Sequence, residues 1–207
     1  MRYGPERWLA CNHCGGALRF RALLQVDARL AQLWSDGFVD SPSVPEQPLV
    51  VACGHCQGAV WLPELADAPC CDGVDYRTLT EEELWTLAEA FGEAPSEHQL
   101  HVRLKLWQLA NHRHRRGESQ VIWSDRERHN LEKILSLLDL SSATEVMTAV
   151  EVSRQLGMFN QALGLLVRLE GELPTSLVTE VEQRLKDRDS RVFCFKANGE
   201  AGHGRSG

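Results

Sequence analysis

Two Cys-x-x-Cys pairs, Cys11-Asn12-His13-Cys14 and Cys53-Gly54-His55-Cys56, constrain this chain more than any other feature. A glycine follows closely on each, Gly15 and Gly58, and an apolar run comes after. A gap of two residues lets both sulfurs of a pair converge while backbone N–H groups of the turn point at them. Two such turns supply four thiolates, the donor set of a tetrahedral structural zinc site with Zn–S distances of about 2.3 Å. Cys11, Cys14, Cys53 and Cys56 are therefore the candidate ligands, and Zn2+ is the expected cofactor. A closed four-sulfur shell leaves no position for water, which makes the site structural rather than catalytic. Apparent binding free energies of about 10–16 kcal/mol would then dominate the stability of a small first domain. The alternatives are four buried free cysteines, or a redox dithiol in one pair. A single pair would favour redox chemistry, whereas two matched pairs favour a metal. His13 and His55 could replace a cysteine, but a ligand next in sequence to another has poor geometry.

At 207 residues the chain can hold one domain or two. No stretch approaches the roughly 20 apolar residues of a membrane span. The first residues, Met1 to Trp8, lack the apolar core of a secretory signal. A cytoplasmic location in a reducing compartment is the expectation, and there paired cysteines read as metal ligands before disulfides. The formal net charge of −7 argues against a nucleic-acid partner as the main role. It leaves room for a local basic patch.

The organisation is α+β: a small β-rich zinc ribbon at 1–69, then an all-α region of helical hairpins at 76–190. A disordered tail is expected at 197–207, where glycines crowd the last residues. Short β-like runs occur at Ala17 to Phe20, Ala31 to Trp34, Leu49 to Ala52 and Ala59 to Leu62. Asp36-Gly37 is a turn signal. Pro42, Pro45 and Pro48 make a loop, since proline breaks helices and central strands. The 38 residues between Cys14 and Cys53 would be filled by a hairpin and this loop. Arg21 to Leu33 suits a helix or a long hairpin, and the nearby knuckles favour strands.

From Thr80 the pattern turns helical. Thr80-x-x-Glu83, Ser124-x-x-Glu127 and Ser142-x-x-Glu145 are helix-start signatures. Pro95-Ser96 opens another helix toward His114, although Leu100, Val102, Leu104 and Leu106 alternate as in a strand. Asn160 starts a fifth helix ending near Gly171, and Pro174-Thr175-Ser176 precedes a sixth.

The run Leu156-Gly157-Met158-Phe159-Asn160-Gln161-Ala162-Leu163 resembles the centre of a tetratricopeptide repeat. The repeat's turn glycine, aromatic, small residue and final proline fall on Gly157, Phe159, Ala162 and Pro174. The resemblance implies that Gly157 ends one helix, Phe159 fills the gap between paired helices, Ala162 allows close approach and Pro174 stops the second helix. It covers Ala143 to Ser176, and Val146 and Val150 depart from the family's tryptophan and small residue. One repeat cannot bury its own face, so the earlier helices would supply its neighbours. A generic antiparallel bundle is the alternative. The whole chain is also similar to a group of uncharacterised bacterial proteins that join a Cys-x-x-Cys ribbon to a repeat-like helical region. Leu33 to Gly37, Pro45 to Pro48, the second knuckle through Trp61, and the helix pair around Gly157 carry that similarity, which implies no activity.

Asn111-His112-Arg113-His114-Arg115-Arg116 is the strongly basic run. Arg113, Arg115 and Arg116 are the candidate polyanion contacts, or else a solvated helix C-terminus whose cations complement the dipole. His98, His101, His112 and His114 read as exposed. Cys70-Cys71 read as buried free thiols, or as a second metal site or ligand swap, and Cys194 as a small apolar residue. The sequence carries no phosphate loop, Gly-x-Ser-x-Gly, His-Glu-x-x-His or dinucleotide fingerprint. No catalytic residue is assigned. The expected function is a non-enzymatic cytosolic module that binds an unidentified protein or peptide. A nucleic-acid-associated accessory protein is the second reading, and a small redox protein or enzyme the third.

Overall fold

Ala10 and Ala17, and again Ala52 and Ala59, stand opposite each other across antiparallel strands, with a cysteine turn closing each hairpin. In the computed structural model residues 2–25, 31–41, 46–69, 72–92, 94–116 and 122–195 are described. Strands come first and helices follow, so the fold is α+β.

The first hairpin joins β1 (Arg2–Ala10) to β2 (Ala17–Gln25). β1 was not among the expected strands. Gly4-Pro5 obscures it, because proline removes a ladder donor, and the register slips there between Tyr3 and Glu6. Next in the chain, β3 (Gln32–Leu33) and β4 (Val39–Asp40) form a short antiparallel pair. The second knuckle hairpin joins β5 (Val50–Ala52) to β6 (Ala59–Trp61). β7 (Val74–Asp75) lies parallel to β2 and completes a sheet of order β1-β2-β7. Leu9, Cys11, Leu18, Val51, Cys53, Val60, Leu62 and Leu65 form one buried cluster, with Phe20 and Tyr76 against it. Two of its eight buried members are cysteines, so the knuckles are part of the core and not appended to it.

Six helices follow. α1 (Glu81–Ala90) starts at the Thr80/Glu83 capping box, where Glu83 N–H donates to Thr80 Oγ1 at 3.3 Å and Thr80 N–H to Glu83 Oε2 at 2.8 Å. α2 (Ser96–Arg115) resolves the alternating leucines as helix, burying Val102, Leu106, Trp107, Ala110 and Asn111 on one face. α3 (Asp125–Leu137) and α4 (Ala143–Gln155) begin at the Ser124 and Ser142 caps. α5 (Phe159–Leu166) continues into a 3-10 turn at Val167–Leu169, and α6 is Thr175–Lys186.

The chain divides into two compact units, residues 1–31 with 41–84, and 32–40 with 85–207. The 32–40 segment, placed by sequence within the ribbon, thus lies with the helices. Its anchors are polar. Asp36 accepts hydrogen bonds from Asn111 Nδ2 at 2.9 Å and from the Arg115 guanidinium, and its side chain is wholly buried. Ser35 Oγ donates to Glu151 and accepts from Phe193 N–H at 3.2 Å. Ser35 N–H donates to Phe193 O, Phe195 N–H to Leu33 O, and Trp34 bridges to Cys194. Arg154, fully buried, pairs with Glu151 and donates to the carbonyls of Asp189 and Arg191. The helical unit also holds an apolar cluster around Val150, Ala162, Val181 and Phe193 and another around Trp107, Leu131, Ile134 and Val152.

Candidate metal centre

The structure brings Cys11, Cys14, Cys53 and Cys56 together, with their sulfurs all within 4.8 Å of one another. Each pair sits on an identical turn. Cys11 N–H donates to Gly16 O at 2.9 Å, and Gly15 N–H to Cys11 O at 2.8 Å. In the second knuckle Cys53 N–H donates to Gly58 O and Gln57 N–H to Cys53 O, both at 2.9 Å. The residue after each second cysteine must turn through the left-handed region, and Gly15 (φ 71°) and Gln57 (φ 62°) both do. At Gly54 a Cβ would fall 2.3 Å from the Asp75 carbonyl oxygen, so β7 can lie against this knuckle because the position is glycine.

Two cross-knuckle sulfur pairs, Cys11–Cys56 and Cys14–Cys53, are 3.9 Å and 3.8 Å apart. Sulfurs about 2.3 Å from a central ion at tetrahedral angles would stand about 3.8 Å apart. The first cysteine of each pair is buried and the second exposed. His13 N–H and His55 N–H each lie 3.4 Å from the first sulfur of their own knuckle, donors suited to thiolate charge.

The thiols' acidities make the same point. Burial raises the Cys11 thiol, but the backbone N–H groups of Cys14 and His13 and the adjacent thiols bring it down to about 7. Cys14 behaves oppositely. The Gly16 N–H favours its thiolate, yet burial and the thiols of Cys11, Cys56 and Cys53 push it up to about 12. Cys53 is raised by burial, with Cys11 and Cys56 adding to the rise. The thiol contacts that favour a thiolate at Cys11 oppose one at Cys14 and at Cys53. A dication at the centre removes that opposition, because a coordinating thiol deprotonates outright. The four cysteines therefore fit a metal ion, and the donor set can hold one with no further ligand.

The two knuckle histidines lie outside the sulfur cluster. His13 Nε2 is 3.1 Å from Ala59 O, and His55 Nε2 is 3.1 Å from Ala17 O. Sequence reasoning weighed them as substitute ligands and missed this role. The signal was present: residues 9–18 and 51–60 match at Ala10/Ala52, Cys11/Cys53, His13/His55, Cys14/Cys56, Gly16/Gly58 and Ala17/Ala59.

The three arginines do not share one surface. Arg113 pairs with Glu127 at 2.7 Å, and Arg115 is buried against Asp36, whereas Arg116 is exposed. The α2 histidines are half-buried instead of exposed, two of them against aromatic rings. His112 meets Phe38 edge-on at 5.0 Å, and His114 meets Trp123 at 6.0 Å.

Around α5, Gly157 (φ 78°) ends α4, Ala162 is fully buried and Phe159 is half-buried. Pro174 precedes the sixth helix as expected, but it does not stop the second helix of the repeat-like pair. α5 has already ended at Leu166, and Pro174 stands at the start of α6, with its carbonyl accepting from Leu177 and Val178 N–H. Cys194 is partly buried, and burial raises its thiol. Cys70, Cys71 and the tail expected at 197–207 lie outside the described residues. Among the described residues, no helix is long and apolar enough to cross a membrane. No protein-family model, curated protein or solved structure matches the chain.

Proposed function

We propose that this protein is a non-enzymatic, cytosolic protein-interaction module whose first unit is closed around a structural zinc ion. The sulfur geometry carries the metal part of the reading: four sulfurs within 4.8 Å of one another, both measured cross-knuckle pairs at tetrahedral-edge spacing, and two of the cysteines inside the core. Zinc suits four thiolates in a tetrahedron because it has no geometric preference of its own and no redox chemistry. Four protein sulfurs fill the shell, which favours an architectural role over a Lewis-acid one. Thiolate ligation favours a reducing compartment.

The interaction role draws on the second unit. Leu33 and Val39 stand opposite each other across β3–β4, so they share a face, and they are 43% and 47% exposed. A groove of about 730 Å³ runs along α6, lined by Leu177, Arg184 and Phe195 among others. The α4–α5 pair is read as one tetratricopeptide-like hairpin on the strength of Gly157 and Ala162. The nucleic-acid reading is weaker, because Arg113 and Arg115 are committed to carboxylates.

Elemental analysis of protein purified without chelator should find about one zinc per chain; protein lacking zinc refutes the metal reading. Cross-linking in cells, followed by mass spectrometry, tests the interaction reading. A protein cross-linked to wild type and lost from a Leu33→Glu/Val39→Glu variant supports it. Identical cross-links from both forms would remove that face from the proposal.

A further inference from the structure

The two knuckles are copies of one unit, and the copies exchange a contact. Leu9-Ala10-Cys11-Asn12-His13-Cys14-Gly15-Gly16-Ala17-Leu18 corresponds position by position to Val51-Ala52-Cys53-Gly54-His55-Cys56-Gln57-Gly58-Ala59-Val60. The strand registers agree as well, Leu9 opposite Leu18 and Val51 opposite Val60. In each copy the histidine lies between the two cysteines, and its ring reaches the alanine carbonyl that leaves the other copy, at 3.1 Å both times. A carbonyl only accepts, so Nε2 carries the proton and donates in both contacts. The rings lie over equivalent glycines. A Cβ at Gly16 would fall 2.4 Å from His55 Cδ2, and one at Gly58 would fall 3.7 Å from His13 Cγ.

The contact matters because of what is otherwise missing between the copies. β1–β2 and β5–β6 belong to different sheets and do not pair directly; the backbone link between them runs through residues 74–77, where β7 lies beside β2 and Arg77 exchanges backbone hydrogen bonds with Ala52. The apolar cluster holds the bases of the hairpins together. At the turns, where the sulfurs meet, the crossing contacts are the sulfur pairs themselves and the two histidine bonds.

We propose that His13 and His55 form a reciprocal latch that holds the two knuckles at ligating distance and slows escape of the metal. They are positioning residues and not ligands. Ordering both halves of the shell before the ion arrives removes part of the entropy cost of assembling it. It also keeps a transiently released thiolate near the ion, so that rebinding competes with departure. The inference rests on the zinc reading above.

The test uses full-length, zinc-loaded protein, with transfer of zinc to the chromophoric chelator 4-(2-pyridylazo)resorcinol followed in time. His13→Ala and His55→Ala should each still bind one zinc and release it about 10–100-fold faster, if the loss of affinity typical of removing an outer-shell partner falls on the release step. Glutamine keeps an N–H donor at similar reach, so His13→Gln and His55→Gln should recover most of the wild-type rate. His13→Ala is the milder variant, because the space around Gly58 is the looser of the two. With Co2+ in place of zinc, all four variants should keep the charge-transfer intensity of four thiolates, since no ligand has been removed. Wild-type release rates in both alanine variants overturn the latch. So does glutamine releasing as fast as alanine, which would assign the rings to packing alone. A fall in thiolate intensity would make a histidine part of the ligand set and overturn it also. Wild-type protein that binds no zinc fails at the earlier step, a result distinct from any of these.

Discussion

Removing the metal should unfold the first unit and leave the second protected. Its buried cluster holds six apolar side chains besides the two cysteines: Leu9, Leu18, Val51, Val60, Leu62 and Leu65. Each contributes about 1.5–3 kcal/mol on burial, so together they supply on the order of 9–18 kcal/mol before the chain's ordering is counted. A structural zinc contributes about 10–16 kcal/mol, a term of the same size. Losing it removes roughly half of what favours folding, and whole domains are stable by only about 5–15 kcal/mol. The ligand thiols make matters worse once bare, since Cys11 and Cys53 sit inside the cluster. Hydrogen exchange read by mass spectrometry separates the units. After chelation under reducing conditions, or in Cys53→Ser, amides of Ala17–Gln25 and Val50–Ala52 should lose their protection. Those of Ala143–Gln155 should change by less than about tenfold, equivalent to about 1.4 kcal/mol. Persistent protection of β2 and β5, with elemental analysis showing the metal gone, would mean that the apolar cluster suffices alone.

Two further substitutions probe the second unit. Asp36→Ala strands the buried Arg115 guanidinium without its carboxylate, and breaking such a pair costs about 3–5 kcal/mol; an unchanged urea midpoint would refute the anchoring role given to the 32–40 segment. Glu127 bonds Ser124 and Arg113, and although burial opposes it, these partners hold its carboxyl below the usual range. A depressed folded value means stability that is present above the ordinary carboxylate pKa and lost as pH falls through the folded one. The gap between wild type and Glu127→Gln in urea midpoint should therefore be widest near neutrality and shrink between about pH 5 and pH 3; a gap that widens in acid would contradict the assignment.

The parts of the fold that were legible in the sequence are those fixed by local chemistry. Capping boxes at Thr80 and Ser124 announce their helices because the side chain that closes the first turn is three residues from the cap. The Cys-x-x-Cys turns are legible for the same reason. β1 was missed because Pro5 and the bulge beside it break the alternation that marks a strand. Pro174 was legible as the residue before α6, whereas the stop that the repeat resemblance implied for it fails because α5 ends well before it, and proline fits equally after a helix and before one. Arg115 looked like surface charge because its partner, Asp36, is far away in sequence, and a buried ion pair leaves no periodic trace.

The long interval between the knuckles has a structural reason that composition alone could not give. A hairpin and a proline loop extending the ribbon are what the sequence leads one to expect there. The hairpin is present as β3–β4, but it belongs to the second unit: the chain leaves the first unit after β2, supplies Gln32 to Asp40 to the second, and returns for β5, while Pro42 and Pro45 lie outside the described residues. The Asp36-Gly37 turn itself was legible, with Gly37 at φ 76° and its N–H donating to Trp34 O at 2.9 Å. Its destination was not, because that depends on Ser35, Asp36, Asn111, Glu151 and Phe193 meeting in three dimensions. The same distinction explains the histidines. Within one knuckle His13 has no evident task beside Cys14. Its partner is the carbonyl of Ala59, and the task becomes readable when residues 9–18 are laid on residues 51–60. An equal residue at an equal place in two copies whose cysteines cluster together points to a contact between the copies, and both distances are 3.1 Å.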